Sequence, residues 1–454
     1  MPFHKNLFKA LILFYHNMEN LTAAAEEVLV DSLSFKLPSS GNYVIDRRSV
    51  TYHTEGSNSY SATQGTKVIR FRLAGDGWLD PSTFRIMFDV VNDDNDGTKK
   101  LRPIGKAHAF FRRLRISVRG QIIEDIDNYS RVSEMFHILQ SKDSRLNDSI
   151  EGFGLQDSIS LLNTTALLPG ITASQTVMFK PLTGIFAQTK YLPLRFAPFE
   201  IELELANVND PIVVPGVDAT FTNGNTSGRW KLENCMVKVD LCTLDNALDN
   251  SYTSHMLSGK SINIVYDTFI STLQTVVSAD SQINVSRSLS KMKSVFVSLD
   301  KDFGGDRVNY YMKQFNNFWN PNAGNTVPQT ASHPTAGDRF SRLQLQIGSK
   351  LFPEYPMRST AECFYSLRKA LGAQANNLHN IDIDGREYRS DKFIVGFDTE
   401  KLLGLSFTGY NTRNNLMTVH LKTEVGDYQA NRMHIVLLSE QILELGDVGC
   451  SAFD

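Results

Sequence analysis

The chain has 454 residues, 41% of them apolar and 21% charged, a globular composition with material for more than one domain. Its 46 basic and 49 acidic residues leave a net charge of −3, which excludes a chain that holds nucleic acid by an overall basic excess. Four scattered cysteines (Cys235, Cys242, Cys363, Cys450) without a CxxC pair exclude a disulfide scaffold and argue against a structural zinc site.

The apolar stretch Leu7–Tyr15 is nine residues long and contains Lys9, too short to span a bilayer. With Ala23-Ala24-Ala25 after it, it could mimic a signal peptide; the plainer readings are an N-terminal arm over residues 1–33 or sequence upstream of a second start at Met18. Strand signals then dominate. Lys67–Leu73 is β-rich and ends at Gly75-Asp76-Gly77, and Thr83–Val91 stops at the turn cluster Asn92–Gly97. In Phe110–Arg119, Leu114, Ile116 and Val118 alternate with Arg113, Arg115, Ser117 and Arg119, the period of a strand with one buried face. Further strands are expected at Thr176–Phe179, Phe199–Leu205, Met236–Leu241, Ser261–Tyr266, Lys293–Leu299, Arg342–Ile347, Lys392–Phe397, Leu416–Leu421 and Met433–Leu438. Helical spacing is confined to Ser130–Leu139 and Ser359–Leu371, the second closed by Gly372. Many short strands separated by turns indicate β-sandwiches or jelly rolls.

An internal repeat organises these elements. Arg113-Leu114 matches Arg342-Leu343 at an offset of 229, and after one gap Gly120, Glu134, Phe136 and Leu139 match Gly348, Glu362, Phe364 and Leu367 at 228. Both copies read strand, Gly turn, short extended piece, helix. Two tandem β domains are therefore expected, 34–245 and 246–454, divided in the polar stretch Asp245–Ser251. Long loops are expected at Ser141–Ser174, Asn207–Gly228 and Phe303–Asp338, the last carrying Phe315, Phe318 and Trp319.

A search for chemistry finds no catalytic, cofactor-binding or metal-binding set. Ser258-Gly259-Lys260-Ser261 ends like a phosphate-binding loop, but Ser254 stands where its first Gly belongs and a strand follows instead of a helix. Asn380, Asp382, Asp384, Gly385 and Asp391 imitate a calcium loop with the wrong residues at its first and last positions, so a tight turn is the expected reading. The histidines show no metal-ligand spacing, and Cys235, Cys242 and Cys363 read as small apolar fillers. Arg112, Arg113, Arg115 and Arg119 form a basic cluster, read as a polar strand face rather than a phosphate contact. No direct sequence-specific binding of nucleic acid is expected.

Gly65–Thr83 (GTKVIRFRLAGDGWLDPST), Phe110–Arg115 with Glu124-Asp125-Ile126, and Gly348–Gly372 (GSKLFPEYPMRSTAECFYSLRKALG) resemble the double jelly-roll major capsid proteins. The likeness is nearest to those of polinton-like elements, adintoviruses and related eukaryotic double-stranded DNA viruses, and more distant to adenovirus hexon and virophage capsids. It implies an all-β chain of two eight-stranded jelly rolls that forms pseudo-hexagonal homotrimers, meets neighbouring trimers, penton and minor capsid proteins in an icosahedral virion, and has no enzymatic activity. Under that resemblance Phe315, Phe318 and Trp319 become candidates for a subunit-interface loop, the alternative being that they cap their own jelly roll. A carbohydrate-binding or carbohydrate-processing β-sandwich is the competing function.

Overall fold

A computed structural model describes residues 43–63, 67–153, 165–169, 174–216, 220–300, 317–321, 339–373, 381–402, 406–423, 432–447 and 449–453. The N-terminal arm, most of the loop 303–338 and Phe315 lie outside the described residues. The first half contains β1 (Val44–His53), β2 (Ser59–Ser61), β3 (Val68–Leu73), β4 (Trp78–Leu79), β5 (Arg85–Asn92), β6 (Phe111–Val118), β7 (Gln121–Ile126), β8 (Ser174–Phe179), β9 (Leu192–Pro193), β10 (Phe199–Leu205) and β11 (Trp230–Leu244). The second contains β12 (Ile262–Thr275), β13 (Asp280–Val285), β14 (Met292–Asp300), β15 (Arg339–Ile347), β16 (Lys350–Ser359), β17 (Ile394–Asp398), β18 (Met417–Thr423), β19 (Arg432–Leu445) and β20 (Cys450–Phe453).

The pairing is antiparallel and follows one scheme twice. In the first half one sheet runs β1-β11-β5-β8 and the other β3-β10-β6-β7. In the second half the sheets run β12-β19-β14-β17 and β13-β18-β15-β16. Setting aside the short β2, β4, β9 and β20, each half is eight strands in the order first-eighth-third-sixth over second-seventh-fourth-fifth. That is the jelly-roll arrangement of two interlocked Greek keys. Among the described residues, no strand pairing crosses between the halves.

Alternation builds each sandwich. In β6, Leu114, Ile116 and Val118 are buried, and in β10 so are Ile201, Leu203 and Leu205. Leu114 lies opposite Leu203, and Ile116 opposite Ile201. The outward residues form an ion-pair ladder: Arg70 Nε to Glu202 at 2.8 Å, Arg115 to Glu202 at 3.4 Å, Arg112 to Glu204 at 3.4 Å, and a two-pronged Arg113–Asp125 pair at 2.7 and 2.6 Å. Arg112, Arg113 and Arg115 of the basic cluster are thus neutralised by carboxylates of their own sheet.

The repeat is visible in three dimensions. Arg119 and Gly120 take positive φ in the β6–β7 turn, as Gly348 does between β15 and β16. The helices Tyr129–Ile138 and Thr360–Ala370 follow β7 and β16. The second is started by a capping box between Ser359 and Glu362 and ends at Gly372, φ +70°.

Two expectations are corrected. The polar stretch Asp245–Ser251 opens a helix, Asn246–Leu257, because the Asp245 carboxylate caps the Ala247 amide at 3.1 Å. The extended pieces after Gly120 and Gly348 are full strands, β7 and β16.

Candidate assembly faces

The two jelly rolls share a seam of apolar and polar contacts. From the first half, β7 and the helix Tyr129–Ile138 supply it. From the second come β12, β14, β20 and residues 317–320. Phe136 on the helix packs its ring against Phe269 at 5.2 Å and Phe296 at 5.1 Å. The Tyr266 hydroxyl lies 3.0 Å from the Ile123 carbonyl oxygen and 2.9 Å from Gln441 Oε1. Arg119 donates to the carbonyls of Gly446 and Asp447 at 3.0 and 3.1 Å, and Cys450 Sγ lies 3.0 Å from the Val118 carbonyl oxygen.

Charge is buried at this seam, with partners. Arg131 donates to the carbonyls of Leu299 and Asn317, and its guanidinium lies 4.2 Å over the Phe318 ring. Burial opposes ionisation of Asp300, but Arg131, His434 and Arg432 hold its carboxyl well below the usual range. Nearby, burial would raise the Glu134 carboxyl too. The hydrogen bond from His108 at 2.7 Å, with the neighbouring charges, outweighs that and holds Glu134 at about 2. Burial lowers His137 and His434 to about 4.

Glu124, on β7, behaves oppositely. It is fully enclosed and accepts from the Gly184 amide at 2.6 Å and the Ile185 amide at 3.3 Å. Burial outweighs those two amides and pushes the carboxyl up to about 8. A carboxyl raised from 4.5 binds its proton in the folded state and releases it on unfolding. Its contribution is therefore whole below pH 4.5 and is lost as pH rises toward 8. Glu124→Gln should match the parent near pH 4.5 and exceed it by on the order of 4 kcal/mol above pH 8, read from urea midpoints. Equal midpoints at pH 8.5 would show that the carboxyl is not held neutral.

Phe318 and Trp319, two of the three candidate interface residues, are 0% and 1% exposed within a single chain. The Phe318 amide donates to the Asp391 carbonyl at 2.7 Å, Trp319 to Leu299 at 2.8 Å and Asn320 to Ser390 at 2.7 Å, so the segment is stitched into its own jelly roll. Trp319→Ala should cost about 3–5 kcal/mol in the urea unfolding of dilute protein. A variant of unchanged stability that failed only to associate would favour the interface role.

The sequence motifs resolve into local chemistry. Ser258 and Gly259, φ +78°, terminate the helix Asn246–Leu257, so the Ser-Gly-Lys-Ser segment lies at a carbonyl end that repels phosphate. Asp384 caps the helix Gly385–Ser390 through the Arg386 and Glu387 amides, both at 2.7 Å, and Asp382 accepts from the Lys142 amide at 3.0 Å. Asn380 lies outside the described residues. Among the described residues no cluster of three His, Cys, Asp or Glu side chains is arranged to hold a metal. Cys235, Cys242 and Cys363 are buried thiols, with burial pushing Cys235 up to about 12.

Periodicity did not mark a second surface. Among the described residues β16 is an edge strand, paired only with β15. Pro353 and Pro356 fit an edge because proline gives no amide to a further strand. Tyr355 is 82% exposed there, and Tyr365, on the following helix, is 67% exposed. They frame a groove of about 290 Å³ lined also by Phe352, Pro353, Lys369 and Phe397. The prolines in Phe352–Met357 were the signal available for it.

Solved structures that align with the chain include viral capsid proteins. The chain aligns with the capsid of the virus PBCV-1 at TM-score 0.59 and 13% identity, over 92% of this chain and 99% of that one. The fold is the double jelly roll. The Sputnik virophage structure aligns at TM-score 0.58 and 9% identity, covering 94% and 92% of the two chains. The Faustovirus major capsid protein aligns at 0.54 and 9% identity, covering 96% and 98%. No protein-family model and no curated protein sequence matches the chain.

Proposed function

We propose that the chain is the major capsid subunit of an icosahedral virion, a structural protein without catalysis. The observation that carries this is the double strand order: two jelly rolls with the same strand order in one chain, aligned over 92% of it with the PBCV-1 virus capsid structure. Two similar halves per chain suit a homotrimer, since three chains then present six similar sides that tile a flat facet, and closed symmetry is the usual route to such rings. Its partners would be neighbouring trimers and the penton and minor capsid proteins. The segments 65–83 and 348–372 favour kinship with polinton-like and adintovirus capsids within that group. The paired arginine ladder supports a role without direct sequence-specific nucleic-acid binding.

Light scattering on the full chain, with electron images of the same peak, tests this. The expected mass is three times the 51.0 kDa of one chain, with hexagonal outlines. A stable single chain at every concentration would overturn it.

A further inference from the structure

The arginine ladder on the outer face of β6 is balanced within its own sheet, but it shares a cleft with a cation of the other half that is not. Arg287 follows β13 and is exposed, and its guanidinium makes no ion pair or hydrogen bond among the described residues. Its backbone is fixed. The amide donates to the Val285 carbonyl at 3.2 Å, and the carbonyl accepts from the Thr412 hydroxyl at 3.0 Å. Arg287 lines a cleft of about 390 Å³ between the halves, together with Arg112, Arg113, Asp125 and Asp127 of the first half and Ser271 of the second. Arg113 is held by its two-pronged pair with Asp125, and Arg112 by Glu204 at 3.4 Å and Asp127 at 3.9 Å. Arg287 is left as the uncompensated charge.

The cleft also contains a donor without an acceptor. Ser271, on β12, is 7% exposed, and its hydroxyl has no hydrogen-bond partner among the described residues. A hydroxyl kept from bulk water without a partner is costly to a fold and calls for a group that meets it. Beside these polar groups, Ile122 and Ile123 of β7 and Ile270 of β12 give the cleft an apolar wall.

Charge decides what fits. A cation would meet three guanidiniums. A phosphate dianion or a nucleic-acid backbone would meet Asp125 and Asp127 in the same wall. One carboxylate matches the single spare guanidinium, whose planar fork suits it, and can accept from a hydroxyl as well. The volume is that of a small organic ligand, so the anion comes with a body to lay on the isoleucines.

We propose that this cleft binds an organic monocarboxylate, with its anion on Arg287 and the Ser271 hydroxyl and its apolar body against Ile122, Ile123 and Ile270. The C-terminal end of a peptide chain and a free acylated amino acid share this chemistry. The assignment stands apart from the assembly reading above.

Saturation-transfer NMR on the full chain, in the oligomer it forms, tests this with N-acetyl-leucine, its neutral amide, and inorganic phosphate as competitor. The acid should bind saturably and the amide should not. Arg287→Gln should weaken the acid about tenfold and Ser271→Ala about threefold, the losses of a charged and of a single hydroxyl partner. Arg48→Gln, at an exposed arginine of β1 outside the cleft, should leave binding unchanged, and circular dichroism confirms that each variant folds. An acetylated pentapeptide ending in leucine separates the two sources. Tighter binding than N-acetyl-leucine assigns the cleft to a chain end, and equal or weaker binding assigns it to a free acid. No binding of the acid, acid and amide that bind alike, phosphate that displaces the acid at equal concentration, or an Arg287→Gln chain that binds as well as the parent would overturn the site.

Discussion

Gly184→Ala is expected to lose at least about 3 kcal/mol of stability, although the backbone at this residue needs no special conformation. The cause is space. A Cβ built on Gly184 would sit 1.4 Å from the carbonyl oxygen of Asp267 and 2.8 Å from Glu124 Oε1. Asp267 belongs to β12, which is paired to β19 along its whole length, from Ile262 opposite Leu445 to Thr275 opposite Arg432. Neither strand can yield alone, so the added methyl must push the halves apart or draw the Gly184 amide away from Glu124. Overpacking a tight core costs typically about 1–3 kcal/mol, more where backbone is the obstacle. Glu124 would then keep its burial but lose its best donor, which adds to the penalty. Gly97→Ala is the matched control, because nothing lies within 4 Å of a Cβ there. Urea midpoints should fall for the first variant and stay within about 0.5 kcal/mol for the second. Equal midpoints would mean that the seam is looser than this contact requires.

The two β-sandwich halves were legible where their strands alternate. Val68–Leu73, Phe111–Val118 and Phe199–Leu205 each present one apolar and one charged face, and the repeat pairs β6 with β15 and the two helices that follow. Two edge strands, β1 and β16, were not legible in the same way. β1 carries mostly exposed residues and β16 contains two prolines, so neither shows a clean period of two. The packing of Trp319 stayed open in the sequence, because its burial and its amide's bond to the Leu299 carbonyl are contacts that local pattern cannot show. Glu124 and Gly184 were invisible because they meet across 60 residues of sequence, and Gly184 is crowded by Asp267 of the other half.

Leu114→Asp should unfold the first jelly roll, whereas Arg113→Asp, one residue away with the same new side chain, should cost about 1 kcal/mol or less. The two side chains leave the same strand on opposite faces. Leu114 is fully buried, opposite Leu203 on β10 and Ile126 on β7. A carboxylate there loses the leucine's packing, about 2–5 kcal/mol, and adds a buried charge between the apolar Leu203 and Ile126. Together these exceed the net stability of an ordinary domain, about 5–15 kcal/mol, or nearly so. Arg113 is half-exposed, and its two-pronged pair with Asp125 is a surface interaction worth little once water is counted. Replacing it leaves Asp125 still 3.7 Å from Arg115, so the ladder keeps a cation. Near-ultraviolet circular dichroism and solubility separate the outcomes. Soluble, native-like Leu114→Asp protein would break the assignment of β6 as the strand whose alternate residues build the first core. With it would go the claim that the period of two in Phe111–Val118 is what places the arginines outside.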